Sequence, residues 1–501
     1  MRHMAMQRAR AMSRITAIRT TAAGALAAVL LAGCATNPVT GKREFTLVSE
    51  GQEVEMGKGA AEEVAQTIGL YDNPATQRYV AELGKRLAAH SERPELPWSF
   101  QVVDDPVVNA FALPGGFIFV TRGLMAHMNS EAQLVSVLGH EIGHVTAKHS
   151  VQQISRAQMA QVLLIGGMLA SDTIAALGDV GLAGLSVLFL KYGRDAERQA
   201  DDLGFKYSVN EGYEVRSMPG VFATLKRVGE SSGAERLPTW LSTHPSPDER
   251  IERIQKMIAE KNPPPGKEEK PGYLAMTDGL TFGPNPRQGF FDNGVFKHPD
   301  LRFQLTTPKG WKAANLSQAV IAQAPGGDAA FQLTLAKEGS PGQALEKFAA
   351  NQAVSAVEKV DVPVQGLQAS SARFQAKTEG GPVAGLVTFV SHQGKTFQLM
   401  GLAPANAFAG QEPLFKQVQS SFGPLTDPAA LAVQPARIKV VTAPGGMTLA
   451  DLVSKQGPGV PVEKVAIMNQ MEPSTRLEAG QKVKIVQGTV RESSSNAVAA
   501  R

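Results

Sequence analysis

Two histidines four residues apart, with a glutamate directly after the first, read His140-Glu141-Ile142-Gly143-His144. The surrounding run, Gln133–His149, carries apolar residues at helical spacing, which predicts a helix. Residues four apart sit one above the other on a helix face, so both imidazoles can reach one metal ion. Glu141 lies about 100° round the helix from His140, where it ligates poorly but can reach a water held by the metal. A catalytic zinc takes three protein ligands and keeps one position open. The extended pattern HExxHxxGxxH does not supply the third, because Ala147 and Ser150 stand at its positions and His149 is out of register. Downstream, Glu197 and Asp201 are four apart in Arg194–Gly204, on a second predicted helix. Such a carboxylate pair is commonly a solvated face. Following an HExxH, it makes Glu197 the expected third ligand and Asp201 the acceptor for a ligating histidine.

These helices belong to a chain of 501 residues, long enough for several domains. Five arginines and no acidic residue fall in residues 1–33; beyond them 45 basic residues face 46 acidic ones. The mature chain is therefore near neutral, which removes the main support for a nucleic-acid partner. Residues 1–33 read as a secretory signal: an Arg-rich start, then the apolar run Ala22–Leu31, too short to span a bilayer. It ends Leu31-Ala32-Gly33-Cys34, similar to a bacterial lipobox. Cys34 is the only cysteine, so no intramolecular disulfide is possible, and lipidation there would anchor the chain to a membrane. Ala35, rather than an aspartate, follows the cysteine, which points by resemblance to the outer membrane.

Residues 34–50 read as a tether and 51–261 as a mostly helical domain with one strand-like segment, Phe117–Val120. Val162–Leu190 is rich in Leu, Gly and Ala but is broken by Asp172 and Asp179. Its apolar runs are too short to cross a bilayer and read as a buried helical hairpin over the site. The Pro-rich charged stretch 262–289 reads as a linker. Residues 290–427 alternate in segments such as Arg302–Thr306 and Ala330–Leu335, with a helical piece over Gln343–Val357, which predicts an α+β domain. Residues 436–488 order as strand, two short helices and strand, and 489–501 as a disordered Ser/Ala-rich tail.

Four stretches together carry a family resemblance: Asn109–Gly123, His140–His144, Glu197–Gly204 and Ser242–Ile251. They resemble the zinc metallopeptidase family of the CAAX prenyl endopeptidase and the HtpX, BepA and LoiP proteases. The resemblance implies one Zn2+ per chain, bound by His140, His144 and Glu197, with Glu141 as general base and Asp201 behind the ligands. It also implies that Phe117, Ile118, Phe119 and Val120 form an edge strand pairing with substrate, and that His244 approaches the metal. Pro245 biases His244 away from helix. There it would stabilise an oxyanion, plug the open zinc position, or simply lead into the next helix. Residues 436–488 resemble a LysM module, which implies peptidoglycan as a partner. The fold class expected is multi-domain: a mainly α-helical zincin-type peptidase domain with a small β-sheet, an α+β domain, and a small βααβ LysM-like module. The function expected is a lipid-anchored periplasmic endopeptidase acting on misfolded or misassembled envelope proteins. The alternative is a zinc-retaining chaperone or cell-wall-bound scaffold with little turnover.

Overall fold

Apolar residues at helical and alternating spacing sort the chain into two units in the computed structural model, which describes residues 34–157, 192–231, 239–378, 381–456 and 459–491. The division falls between Tyr273 and Leu274, apart from the short stretches 67–69 and 104–106, which group with the second unit. The signal region, the segment Val162–Leu190 and the tail beyond Arg491 lie outside the described residues. No described helix is long and apolar enough to cross a membrane.

The first unit opens with a hairpin, β1 (Cys34–Thr36) against β2 (Arg43–Phe45), where a tether was expected. Asn37 fixes it: the side-chain amide donates to Glu44 and to the backbone oxygen of Ala147. Helices α1 (Glu50–Thr67) and α2 (Pro74–Ala88) follow, then β3 (Ser99–Val103), β4 (Ala110–Leu113) and β5 (Phe117–Thr121). The sheet order is β3-β5-β4, with β5 parallel to β3 and antiparallel to β4. This corrects the expected edge strand. Phe117–Val120 is the middle strand, both its backbone edges are engaged, and Ile118, Phe119 and Val120 are buried. An unbroken run of branched and aromatic residues suits a strand covered on both faces. Among the described residues the sheet ends at β4 on one side and β3 on the other.

After α3 (Arg122–His127), the long buried helix α4 (Glu131–Thr146) starts where Ser130 Oγ accepts from Gln133 N. The Gln133 side chain reaches back to the Asn129 N–H at 2.7 Å, a reciprocal cap readable in Ser130-Glu131-Ala132-Gln133. Helices α5 (Arg194–Asn210), α6 (Met218–Ser231), α7 (Thr239–Thr243) and α8 (Pro247–Lys261) complete the framework. The expected linker 262–289 is structured instead. Backbone bonds join Lys267 to Gly212 and Glu214, and α9 (Lys270–Thr277) buries Tyr273 and Leu274, apolar residues that an open linker would leave wet.

The second unit holds a four-stranded sheet of β6 (Phe290–Asp292), β7 (Val295–His298), β8 (Phe303–Thr306) and β16 (Gly423–Pro424). A seven-stranded antiparallel sheet has the order β12-β13-β14-β15-β11-β10-β9, with β9 at Lys312–Asn315, β10 at Ala319–Gln323 and β11 at Ala330–Leu335. The helix expected over Gln343–Val357 is shorter: α10 (Pro341–Ala349) stops before Val357 and β12 (Val354–Val360) follows, its three β-branched valines favouring extended backbone. Strands β13 (Ala369–Thr378), β14 (Gly381–His392) and β15 (Lys395–Pro404) carry the core. Leu345 of α10 packs with Phe374 and Phe389, whereas Phe415 and Val418 of α11 (Phe408–Ser420) pack with Leu386 and Leu399. Residues 436–488 fold in the expected βααβ order, β17 (Arg437–Thr442) pairing antiparallel with β18 (Lys482–Gln487) around helices at Leu449–Lys455 and Val462–Met468. They do not stand apart as a separate unit, and Ile438 N donates to Leu280 O of the former linker at 2.8 Å.

One buried ion pair ties the first unit together. Arg93 binds Glu53 bidentately at 2.8 and 2.9 Å and donates to Val145 O at the end of α4. Glu53 Oε1 also accepts from Gly115 N, in the turn between β4 and β5. Removing one partner leaves a buried charge, so Glu53→Ala should lose about 3 kcal/mol or more of stability. Urea unfolding checks this, and a loss below about 1 kcal/mol would deny the pair that role.

Candidate active site

Helices α4 and α5 approach through glycine. A Cβ on Gly139 would stand 3.1 Å from Gly204 Cα, and one on Gly204 only 2.8 Å from His140 N. A Cβ on Gly143 would lie 3.0 Å from Ala200 O. With no side chains between them, the two backbones bring His140, Glu141 and His144 against Glu197 and Asp201. All five are buried. Helix α7 and the loop after it add His244, whose N–H donates to Trp240 O and whose ring stacks on Trp240 at 4.8 Å. As Pro245 requires, His244 lies outside the helix.

Four side chains converge: His140, His144, Glu197 and His244 place ligand atoms within 4.8 Å of one another. The two Nε2 atoms of His140 and His144 are 3.0 Å apart. Glu197 lies 3.6 Å from His140 Nε2 and 3.5 Å from His144 Nε2. His244 Nδ1 is 2.9 Å from Glu197 Oε1 and 3.3 Å from His140 Nε2. A tetrahedral zinc with bonds of about 2.0–2.1 Å holds its donors roughly 3.3 Å apart, so this set fits the ion. Glu141 stands beside the set: Oε1 is buried and has no hydrogen-bond partner among the described residues, 3.8 Å from His244 Nε2.

Asp201 accepts from His140 Nδ1 at 2.9 Å, leaving His140 Nε2 to face the other donors. Arg250 of α8 completes the surround. It donates to Asp201 at 2.9 and 2.6 Å, and Nη1 sits 3.0 Å from Glu197 Oε2, close enough for an ion pair but not aligned for a hydrogen bond. The guanidinium lies over Phe222 and Trp240 at 4.2 and 4.7 Å. Burial alone would raise the Glu197 carboxyl, but the charges of His244 and Arg250 hold it well below the usual carboxylate range. Burial likewise opposes ionised Asp201, and Arg250 and His140 outweigh it. Burial pushes His144 well below the usual histidine value, which keeps its ring neutral and able to ligate. For His244 burial pulls downward, but Glu197 and Glu141 win and the net shift is upward.

Residues 74–258 match the model of Peptidase family M48. Over this stretch, which is less than half of the chain, the protein is similar to peptidase family M48. Similar proteins include the beta-barrel assembly-enhancing protease of Escherichia coli (strain K12), 27% identical over 298 residues, which cover 58% of each chain. The mitochondrial metalloendopeptidase OMA1 of Arabidopsis thaliana is 34% identical over 195 residues, 38% of this chain and 37% of that one. The chain thus spans little more than half the length of the first of these relatives. Among solved structures, PsbP of Synechocystis is 12% identical over 26% of this chain and 91% of that one, with a TM-score of 0.22, too low to carry an argument. M48 peptidases depend on zinc, and the M48-like domain supplies the donor set that zinc requires.

The M48-like domain therefore brings together every site residue expected from the helices, and it adds His244 to the donors. It does not give Phe117–Val120 a free edge; the edge beside them is β4. Of Cys34 the backbone is described, in β1. Sequence reasoning passed over Arg250, although it lies within the matched Ser242–Ile251 stretch. It also passed over Tyr192, which stacks on His144 at 3.9 Å, because no spacing links it to the motif. With Glu197 as a ligand, Glu197→Gln should weaken zinc retention 10–100-fold or more, at least the effect of losing a ligand's supporting partner. Metal analysis after dialysis against a chelator reads this out, and one zinc per chain in the variant would remove Glu197 from the site.

Proposed function

We propose that this chain is a zinc metalloendopeptidase of the bacterial cell envelope that hydrolyses peptide bonds of misfolded or misassembled proteins. The observation that carries the reading is Glu141 Oε1, a buried carboxylate oxygen without a partner among the described residues, beside a donor set suited to zinc. Bound zinc supplies Lewis-acid polarisation of the scissile carbonyl and makes water acidic enough to attack near neutral pH. Glu141 takes the proton of the attacking water and hands it to the leaving amine. His140, His144 and Glu197 hold the metal, and Asp201 and Arg250 keep His140 and Glu197 oriented.

An extended substrate segment pairs with the edge of β4, Ala110–Leu113, recognised through its backbone rather than its sequence. This suits cleavage of unfolded segments. The similarity to the beta-barrel assembly-enhancing protease of Escherichia coli supports a substrate from outer-membrane assembly. Lipidated Cys34 anchors the chain on the periplasmic face of the outer membrane, and the βααβ unit 436–488, as a LysM-like module, holds peptidoglycan. Casein cleavage by the metal-loaded protein should fall to background in Glu141→Gln. Equal activity in the two proteins would refute the enzymatic reading.

A second reading has one observation in its favour. Closed zinc sites use four protein ligands, whereas catalytic ones keep a position open. His244 stands where the fourth donor belongs, which favours a latent resting form, and a zinc-retaining scaffold with little turnover as the limiting case. The geometry thereby favours the plug over the oxyanion role. In the plug role His244→Ala leaves casein cleavage equal or higher, with self-cleavage appearing. A fall in kcat of about 10²–10³-fold with zinc retained would instead assign His244 to the oxyanion.

A further inference from the structure

His149 stands five residues after the second histidine of the motif, and no role has been given to it. Helix α4 stops at Thr146, and Lys148 then turns the chain in the left-handed region, with φ at 58°. The next helical stretch, 149–157, therefore starts by folding His149 back against His144. The ring is 5% exposed. Its Nδ1 lies 2.9 Å from His144 Nδ1, and its Nε2 lies 3.0 Å from Gln199 Oε1.

Two ring nitrogens at hydrogen-bond distance share one proton, so one donates and the other accepts. His144 Nε2 faces His140 and Glu197 and, as a metal ligand, carries no proton. The proton of the neutral His144 ring then sits on Nδ1, which donates to His149 Nδ1. That leaves the proton of His149 on Nε2, where it is donated to Gln199 Oε1, an atom that can only accept. Each link fixes the next. Gln199 follows Glu197 by two residues in α5, so one helix supplies both a ligand and the end of this relay.

We propose that His149, held by Gln199, is a positioning residue that sets the ring orientation and tautomer of His144 for metal binding. The inference rests on the reading of His144 as a ligand. His140 is oriented by a carboxylate, Asp201, whereas His144 is oriented by a neutral ring. A second carboxylate at this place would add negative charge next to Glu197 and Glu141. An imidazole accepts the same hydrogen bond without it.

The test uses the full chain and zinc. His149→Leu removes the acceptor and keeps the bulk, whereas His149→Asn returns an acceptor oxygen near the position of Nδ1. Competition with a chelator should show zinc affinity reduced 10–100-fold in His149→Leu, the range for loss of a ligand's supporting partner. His149→Asn should recover most of it, while the two variants melt alike without zinc. Gln199→Leu, altered at the partly exposed end of the relay, should weaken zinc by a smaller factor and stands in should His149→Leu fail to fold. Wild-type affinity in His149→Leu or in Gln199→Leu, or no recovery in His149→Asn, would overturn the proposal. Full zinc retention in His144→Ala would instead refute the ligand assignment beneath it.

Discussion

Charge without water is the constraint on which this site depends. Glu141, Glu197 and Asp201 are all buried, and the guanidinium of Arg250 is buried among them. Among the described residues, and with His244 a neutral ligand, three carboxylates against one cation leave two negative charges in a medium that solvates them poorly, at a cost of several kcal/mol per ion. A divalent cation cancels that remainder. The same account explains why Arg250 is gripped so completely, with Asp201, Glu197 and two aromatic faces around it. It is the part of the balance that the protein supplies for itself.

The backbone arrangement serves that balance. The close seam at Gly139, Gly143 and Gly204 lets short carboxylate side chains reach the imidazoles of the facing helix. Arg93 and Glu53 meanwhile connect the end of α4 to the turn between β4 and β5, so the catalytic helix and the proposed substrate edge share one fastening. Helix α8 then needs to deliver only Arg250, and the loop after α7 only His244.

The candidate metal site was legible because its parts are local. His140, Glu141 and His144 follow from one helical turn, and Glu197 with Asp201 from another. What could not be read was lateral. Whether Phe117–Val120 is an edge or a middle strand depends on its neighbours Ala110–Leu113 and Ser99–Val103, whose short alternating patterns lay inside a region that otherwise reads as helix. The stretch 262–289 misled for a related reason. Its prolines and charges outweigh Tyr273, Leu274 and Leu280, and only partners distant in sequence show where those residues are buried. Beyond Phe303–Thr306, Ala330–Leu335 and the βααβ order of 436–488, the second unit gave little away, because a seven-stranded antiparallel order is set by long-range pairing. Arg250 is the same case in one residue, since a buried cation looks in sequence like any other surface arginine.

The four converging donors come from three separate places along the chain, at 140 and 144, at 197 and at 244. An unfolded chain cannot keep such a set assembled, so nearly all of the binding free energy of the metal is also folding free energy. Free zinc at a hundred times its dissociation constant adds about 2.7 kcal/mol to the native state, a sizeable part of an ordinary domain's margin. The supply of metal in the compartment thus sets how long each copy survives as well as how it behaves. Under zinc starvation the protein would be thinned out by unfolding and clearance, and its abundance would follow the ion.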